Sequence, residues 1–283
     1  EPFVPGNNKQ TISGFYLTFV VSAVVLLMYS NMGFLSNWNT NCIAYLIYLG
    51  IAGAAVILSE NRRNIVVWVL LVYAIIQLLV TQSRNVMSAL IIVVAIVMFK
   101  NTLSKKWIYR AMYTCFLAYP VIFPAMAVNA SGTTVYNMVL EITTDVFDKK
   151  SVFSGRTELY REAARILRTS DFNSILGFGE PMTDVLAVHN DYYMIHYAYG
   201  LIGLLIVVGL LIAFFEKAHV LISKGDNITF GCVAVVLGIV FQQASEGWFI
   251  GSPLPILMAF VYMAIVIKRY RMSEGKHLKN ENK

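Results

Sequence analysis

Long apolar runs without a single charged residue constrain this chain more than any other feature. The run 14–30 contains no Asp, Glu, Lys or Arg, and neither does the run 64–80. Each approaches the roughly 20 residues that an α-helix needs to cross the hydrocarbon core of a bilayer. Apolar and polar residues do not alternate along these runs, as they would in the strands of an outer-membrane barrel. The runs therefore predict transmembrane helices.

The composition agrees with this prediction. Of the 283 residues, 58% are hydrophobic and 13% are charged, whereas about 25% of an ordinary soluble domain is charged. We expect an all-α fold, a polytopic transmembrane helix bundle of about eight spans that forms a single membrane domain over 1–283. The predicted spans are 14–30, 42–58, 64–80, 86–99, 107–128, 190–215, 228–249 and 252–267.

The distribution of Lys and Arg predicts the orientation of the bundle. The connectors 59–63, 100–106 and 216–227 carry cations, and the basic tail 268–283 carries six of them. Segments rich in Lys and Arg stay on the cytoplasmic side. Alternation of sides then predicts that the long connector 129–189 lies on the extracytoplasmic side. Because the cations follow this topological pattern, the net charge of +6 does not indicate a nucleic-acid partner.

The extracytoplasmic loop 129–189 is the one hydrophilic insertion long enough to form structure of its own. Within it, residues 156–168 separate apolar and basic side chains onto opposite faces of a helix. The apolar positions are Leu159, Ala163, Ile166 and Leu167, and the basic positions are Arg161, Arg165 and Arg168. We predict an amphipathic helix along the outer membrane surface. Its arginines fit two roles, which are contact with anionic lipid headgroups and binding of a phosphorylated substrate.

The predicted spans lack ionisable groups at their centres. Ion-coupled transporters usually carry charges there, because a charge at the bilayer centre is costly and is kept for function. Here Arg84, His196 and Glu246 lie near outer ends, and Arg110 is expected to snorkel to the cytoplasmic interface. No motif indicates a metal site or a cofactor. This pattern favours an enzyme that acts at the outer leaflet.

Several short motifs resemble the C-terminal core of bacterial O-antigen ligases and Wzy-type polysaccharide polymerases. They are Ser83-Arg84, Ser154-Gly155-Arg156, Leu176-Gly177-Phe178-Gly179, and His189-Asn190 followed after nine residues by Gly200-x-x-Gly203. The similarity covers about 83–215, and the single long outer loop fits the same family. Family members usually have more than eight spans, so the resemblance implies that N-terminal helices are missing from this chain.

The resemblance implies a metal-independent, inverting glycosyltransferase without a cofactor. Such an enzyme polymerises oligosaccharide repeat units linked to undecaprenyl diphosphate at the outer face of the plasma membrane, with a chain-length regulator as a further partner. The ligase of the same superfamily, which transfers finished polymer to a surface acceptor, is the alternative. A non-catalytic lipid-oligosaccharide transporter is a further alternative from a different class.

The resemblance also implies roles for individual residues. His189 is the expected catalytic residue, which orients or deprotonates the attacking sugar hydroxyl. Arg84, Arg156 and Arg161 are the expected ligands of the substrate diphosphate, because a guanidinium matches phosphate oxygens with two hydrogen bonds. Further substrate contacts are expected from Asn190, Tyr193 and His196.

Overall fold

The computed structural model describes Val20 and residues 40–81, 83–130, 133–147, 156–168, 171–179, 190–244 and 253–281. Over this part of the chain the regular structure is entirely helical, and no β-strand is present. The all-α prediction is therefore confirmed for the described residues. Apart from Val20, the predicted span 14–30 lies outside them.

The described helices follow the predicted spans closely. They are α1 (Thr40–Glu60), α2 (Ile65–Thr81), α3 (Arg84–Met98), α4 (Lys100–Leu103), α5 (Lys106–Ala130), α6 (Thr134–Phe147), α7 (Arg156–Leu167), α8 (Asp171–Leu176), α9 (Asp191–Ser223), α10 (Asn227–Gln242) and α11 (Pro253–Glu281). Several helical segments were not predicted. They are α4 in the connector 100–106, α6 and α8 within the predicted outer loop, and the continuation of α11 through most of the predicted tail 268–283.

Two of the described helices are long and apolar enough to cross a membrane, by length and composition: Lys106–Asn129 and Asp191–Ser223. Only 28% and 22% of their apolar windows are buried. The core helix of a soluble protein would bury most of such a surface. Shorter apolar helices run over Ile47–Glu60, Ile65–Ile76, Asn85–Met98 and Asn227–Gln242.

The chain divides into two compact units. Unit 1 comprises Glu1–Tyr113, Ile212–Ile239 and Pro255–Lys283, and unit 2 comprises Thr114–Leu211 and Val240–Leu254. In unit 1, α10 packs closely against α1, because Gly231 and Gly238 leave room where a side chain would collide with Ser59 and Tyr48. Small residues permit this kind of close helix approach.

Three cationic connectors of unit 1 meet at one end of its helices. The Lys100 ammonium donates to the Ser59 carbonyl oxygen at 3.1 Å and to Asn227 Oδ1 at 2.7 Å. Lys100 therefore satisfies a carbonyl at the C-terminal end of α1, where intrahelical donors are lacking. Burial and the nearby Arg62 charge lower the pKa of Lys100, against the opposing influence of Glu60.

The buried ion pair Asp226–Arg269 joins the same end of unit 1 to α11. Arg269 donates from Nε and Nη2 to the two Asp226 carboxylate oxygens at 2.7 and 2.8 Å, and the two side chains are only 6% and 1% exposed. Asp226 also accepts from the Thr229 amide and hydroxyl, so it caps the start of α10. The segments 216–227 and 268–283, which the sequence places on one side of the membrane, are thus in contact.

Arg110 has an acidic partner that the sequence analysis did not predict. Its guanidinium makes two hydrogen bonds to the Glu216 carboxylate, at 2.9 and 2.6 Å. The Tyr113 hydroxyl donates to the same carboxylate at 2.7 Å. Because Glu216 lies about 106 positions further along the chain, spacing alone does not reveal this partner.

Candidate functional site

Unit 2 contains the described part of the predicted outer loop, and α7 is its clearest element. Tyr160, Ala163 and Leu167 are buried, whereas Arg161, Arg165 and Arg168 are exposed. The predicted separation of faces is confirmed, although Tyr160, which shares the apolar face at a spacing of three residues from Ala163, was missed. This face packs against protein: Tyr160 and Ala163 form a core cluster with Ala127 and Met194.

Two of the exposed arginines already have acidic partners one turn away. Arg161 pairs with Glu158, and Arg165 makes two hydrogen bonds of 2.8 and 2.6 Å to Glu162. The hydrogen bond from Arg165 lowers the pKa of the Glu162 carboxyl group. Arg161 therefore lies on the exposed face with its charge partly balanced. Arg156 begins α7 and is partly buried.

Asn190 lies immediately before α9 and is fully buried. Its Nδ2 donates at 2.9 Å to the carbonyl oxygen of Pro120 and at 2.9 Å to that of Ala244. Its Oδ1 accepts from the Tyr193 amide at 3.1 Å, which is the contact of a helix N-cap. Both ends of the amide group are thus engaged within the protein.

The two carbonyl groups that Asn190 binds lack ordinary helical donors. In α5 the donor for Pro120 would be the amide of residue 124, but Pro124 has no N–H. Ala244 lies just beyond the C-terminal end of α10, where carbonyls also lack intrahelical partners. The side chain of Asn190 therefore satisfies two buried carbonyls that the prolines and the helix end leave open.

Tyr160 reaches the same carbonyl group of Ala244, with its hydroxyl at 3.4 Å. Its ring also lies 6.1 Å from that of Phe123 and 6.4 Å from that of Tyr193, measured between centroids. The Asp191 amide donates to the Gln243 carbonyl nearby. The loop helix α7 is thus joined to the start of α9 and to the segment after α10.

Helix α9 is interrupted at Gly200, whose φ of 67° and ψ of −174° are not helical. A Cβ on Gly200 would collide with the Ile175 carbonyl oxygen, and one on Gly177 would collide with that of Ala198. Gly177 also has a positive φ of 85°. Only glycine adopts these conformations and permits this backbone contact at little cost. The sequence predicted close approach at Gly200 but not the break.

The segment after α8 supplies donors to the interrupted helix. The Phe178 amide donates to the Tyr197 carbonyl at 2.8 Å, and the Gly179 amide donates to the Ala198 carbonyl at 3.1 Å. These carbonyls lie in the last turn before the break, where helical donors are lost. The rings of Phe178 and Tyr197 stack with centroids 4.4 Å apart. The Leu176–Gly179 motif therefore supplies backbone donors to carbonyl groups next to the break in α9.

His196 lies in this joint and is partly buried. Its Nε2 is 3.0 Å from the Ser174 carbonyl oxygen and 3.5 Å from the Ser174 hydroxyl oxygen. Tyr193, the third expected substrate contact on α9, is also partly buried and lies next to Tyr160. Of the three expected substrate contacts, Tyr193 and His196 lie in the first half of α9, whereas Asn190 precedes the helix, is buried and has its amide group bonded within the protein, contrary to the expected substrate contact.

The side chains of two predicted site residues lie outside the described part of the structure. His189 lies outside the described residues. Arg84 begins α3 in unit 1, after Ser83 in the N-cap position, but its side chain lies outside the described part. Among the described residues, no group of three or more His, Cys, Asp or Glu side chains is arranged to hold a metal ion.

In comparisons with known proteins, no family model, no curated protein and no solved structure gives a significant match to this chain.

Proposed function

We propose that this chain is a multi-span glycosyltransferase of the bacterial plasma membrane that polymerises repeat units linked to a polyprenyl diphosphate. One observation carries the proposal. The Leu176–Gly179 motif packs against the break at Gly200 in α9, and α7, which begins at the motif residue Arg156, reaches the start of α9 through the rings of Tyr160 and Tyr193. A resemblance by chance would not require these motifs to be neighbours in space.

The proposed bundle has eight spans, with the outer loop 129–189 and the joint at Gly200 on the extracytoplasmic side. The exposed apolar surfaces of α5 and α9 support the membrane setting. The interruption of α9 supports it further, because irregular backbone at membrane depth is tolerated where it packs against protein. The contacts among the cationic connectors of unit 1 support a common cytoplasmic side.

The proposed reaction is a single displacement at an anomeric carbon. A hydroxyl oxygen of the acceptor sugar forms the new glycosidic bond while the bond to the diphosphate oxygen breaks, which inverts the configuration. His189 takes the hydroxyl proton, and the diphosphate leaves with the electron pair. Arg84 and Arg156 stabilise the charge that develops on the leaving group. Arg161, with its Glu158 partner, contributes less.

A ligase of the same superfamily is the second candidate, because His189-Asn190 and Gly200-x-x-Gly203 match the ligase pattern in full. The two enzymes share the chemistry and differ in the acceptor. A ligase transfers finished polymer to a lipid or another surface acceptor, whereas a polymerase extends the lipid-linked glycan.

Complementation of a deletion strain distinguishes these functions. The full-length gene is expressed as wild type, His189→Ala or Arg165→Ala at matched membrane levels, and surface and lipid-linked glycans are resolved by gel. We expect His189→Ala to leave single repeat units where the wild type gives a ladder. Long lipid-linked polymer that never reaches its acceptor would instead identify a ligase.

Arg165→Ala is the matched control, since Arg165 is exposed and already paired with Glu162. It should retain the ladder. A normal ladder with His189→Ala would show that His189 is not catalytic and would remove the basis of the proposed mechanism.

A further inference from the structure

The contact of His196 with α8 indicates which of its two ring nitrogens carries the hydrogen atom. Its Nε2 lies 3.0 Å from the Ser174 carbonyl oxygen. A carbonyl oxygen only accepts hydrogen bonds, so Nε2 must carry the proton. In the neutral imidazole, Nδ1 is then the unprotonated nitrogen and can only accept. The backbone of α8 thereby selects one tautomer of this ring.

The other nitrogen of the ring has no partner within the described chain. Nδ1 of His196 makes no hydrogen bond to any described residue, and the side chain is only partly buried. Among the described residues, this hydrogen-bond acceptor is not used. The phosphate groups of a substrate do not suit it, because ionised phosphate oxygens also only accept. A hydroxyl group does.

The position of this ring is fixed before any ligand binds. Ser174 belongs to α8, and the chain directly after α8 is held on α9 by the amide of Phe178 and the amide of Gly179. The close backbone contact at Gly177 and Gly200, where a Cβ would collide, brings the end of α8 directly against α9. Preorganisation of this kind lowers the entropic cost of binding.

A pair of aromatic residues belongs to the same joint between α8 and α9. Tyr197 follows His196 on α9, and its ring stacks on Phe178, with both rings partly buried. Sites for small organic ligands combine aromatic surface with a few oriented polar groups. A sugar has both apolar ring surface and hydroxyl donors, so its chemistry fits this combination.

We propose that His196 is a substrate-binding residue whose Nδ1 accepts a hydrogen bond from a sugar hydroxyl of the repeat unit. This inference rests on the proposed glycosyl transfer and assigns the sugar-binding role to the joint between α8 and α9. His196 holds the sugar in place, and the proton transfer remains with His189.

Two substitutions separate binding from structure. In His196→Gln the amide nitrogen occupies a position equivalent to Nε2 by bond count, so the hydrogen bond to Ser174 is retained but the acceptor is lost. In His196→Asn the amide oxygen occupies a position equivalent to Nδ1, so the acceptor is retained but the bond to Ser174 is lost.

The test uses the purified full-length protein in nanodiscs and lipid-linked repeat units extracted from the deletion strain. Initial rates are measured while labelled single units and preformed lipid-linked polymer are varied separately. We expect His196→Gln to raise one KM about tenfold, the typical effect of one lost hydrogen bond, with kcat within about twofold and an unchanged thermal midpoint. The substrate whose KM rises carries the hydroxyl.

We expect His196→Asn to keep KM within about threefold and to lower the thermal midpoint, because the Ser174 carbonyl loses its donor. An unchanged KM in a normally folded His196→Gln protein would overturn the binding role and leave His196 a structural residue. Wild-type protein that links no repeat units would overturn the proposed function itself, and with it this inference.

Discussion

The two units differ in the groups that join their helices. In unit 1, charged side chains connect the ends of helices. In unit 2, uncharged amide groups donate hydrogen bonds to carbonyl groups that have no donor within their own helix. The Asp226–Arg269 pair and the Lys100 contacts belong to the first kind. The amide of Asn190 and the amides of Phe178 and Gly179 belong to the second. In each of these contacts both partners belong to the same unit.

The contacts of unit 1 stabilise the ends of its helices, whereas those of unit 2 surround residues of the candidate site. The paired charges of unit 1 are occupied by partners inside the protein, and several lie at helix ends where backbone groups need capping. In unit 2 the prolines inside α5 and the break in α9 leave carbonyl groups without helical donors, and Asn190 and the segment Leu176–Gly179 supply donors to them. The contact with Ser174 in the same region orients the His196 ring through its Nε2.

The largest effect should come from breaking the buried ion pair of unit 1. We expect Arg269→Ala to lower the free energy of unfolding by about 3–5 kcal/mol, because it leaves the Asp226 carboxylate buried without its cation. Thermal and denaturant unfolding in detergent measures the loss. Asp226→Asn combined with Arg269→Ala keeps the cap on Thr229 and removes the charge, so it should recover much of the stability. If the Arg269→Ala protein were as stable as the double variant, this account would be contradicted.

In unit 2, Gly200→Ala should destabilise the protein by at least about 2 kcal/mol. The positive φ alone costs a residue with a Cβ about 1–2 kcal/mol, and the new Cβ would collide with the Ile175 carbonyl. Gly209 lies in the same helix with open space around it, so Gly209→Ala is the matched control and should be neutral or stabilising. Equal effects of the two substitutions in thermal unfolding would show that α9 does not need its break.

A smaller effect tests the role of Asn190. Asn190→Ala should cost about 1–3 kcal/mol, because buried carbonyls lose their donor. In a Pro124→Ala background, residue 124 regains an N–H that can bind the Pro120 carbonyl, so the same substitution should cost about 1 kcal/mol less. Unfolding of the four proteins gives the coupling as a double-mutant cycle. Strictly additive effects would mean that Asn190 does not replace the donor that Pro124 removes.

Local patterns in the sequence predicted the elements of the fold but not the contacts between them. Apolar runs predicted the long helices, and the spacing of Ala163, Leu167 and the arginines predicted α7. Helix α6 was missed, although Thr133 caps it through its hydroxyl. The pairing of Arg110 with Glu216 and of Asn190 with Pro120 depends on residues distant in sequence, which no local period reveals.

The most direct test of the central claim is a count of bonds formed and leaving groups released. Purified full-length protein is incubated with lipid-linked repeat units in the presence of a metal chelator, and glycosidic bonds and free polyprenyl diphosphate are both quantified. We predict one diphosphate released for each new bond, and neither product with His189→Ala. Absence of bond formation by the wild type, or equal formation by His189→Ala, would contradict this account.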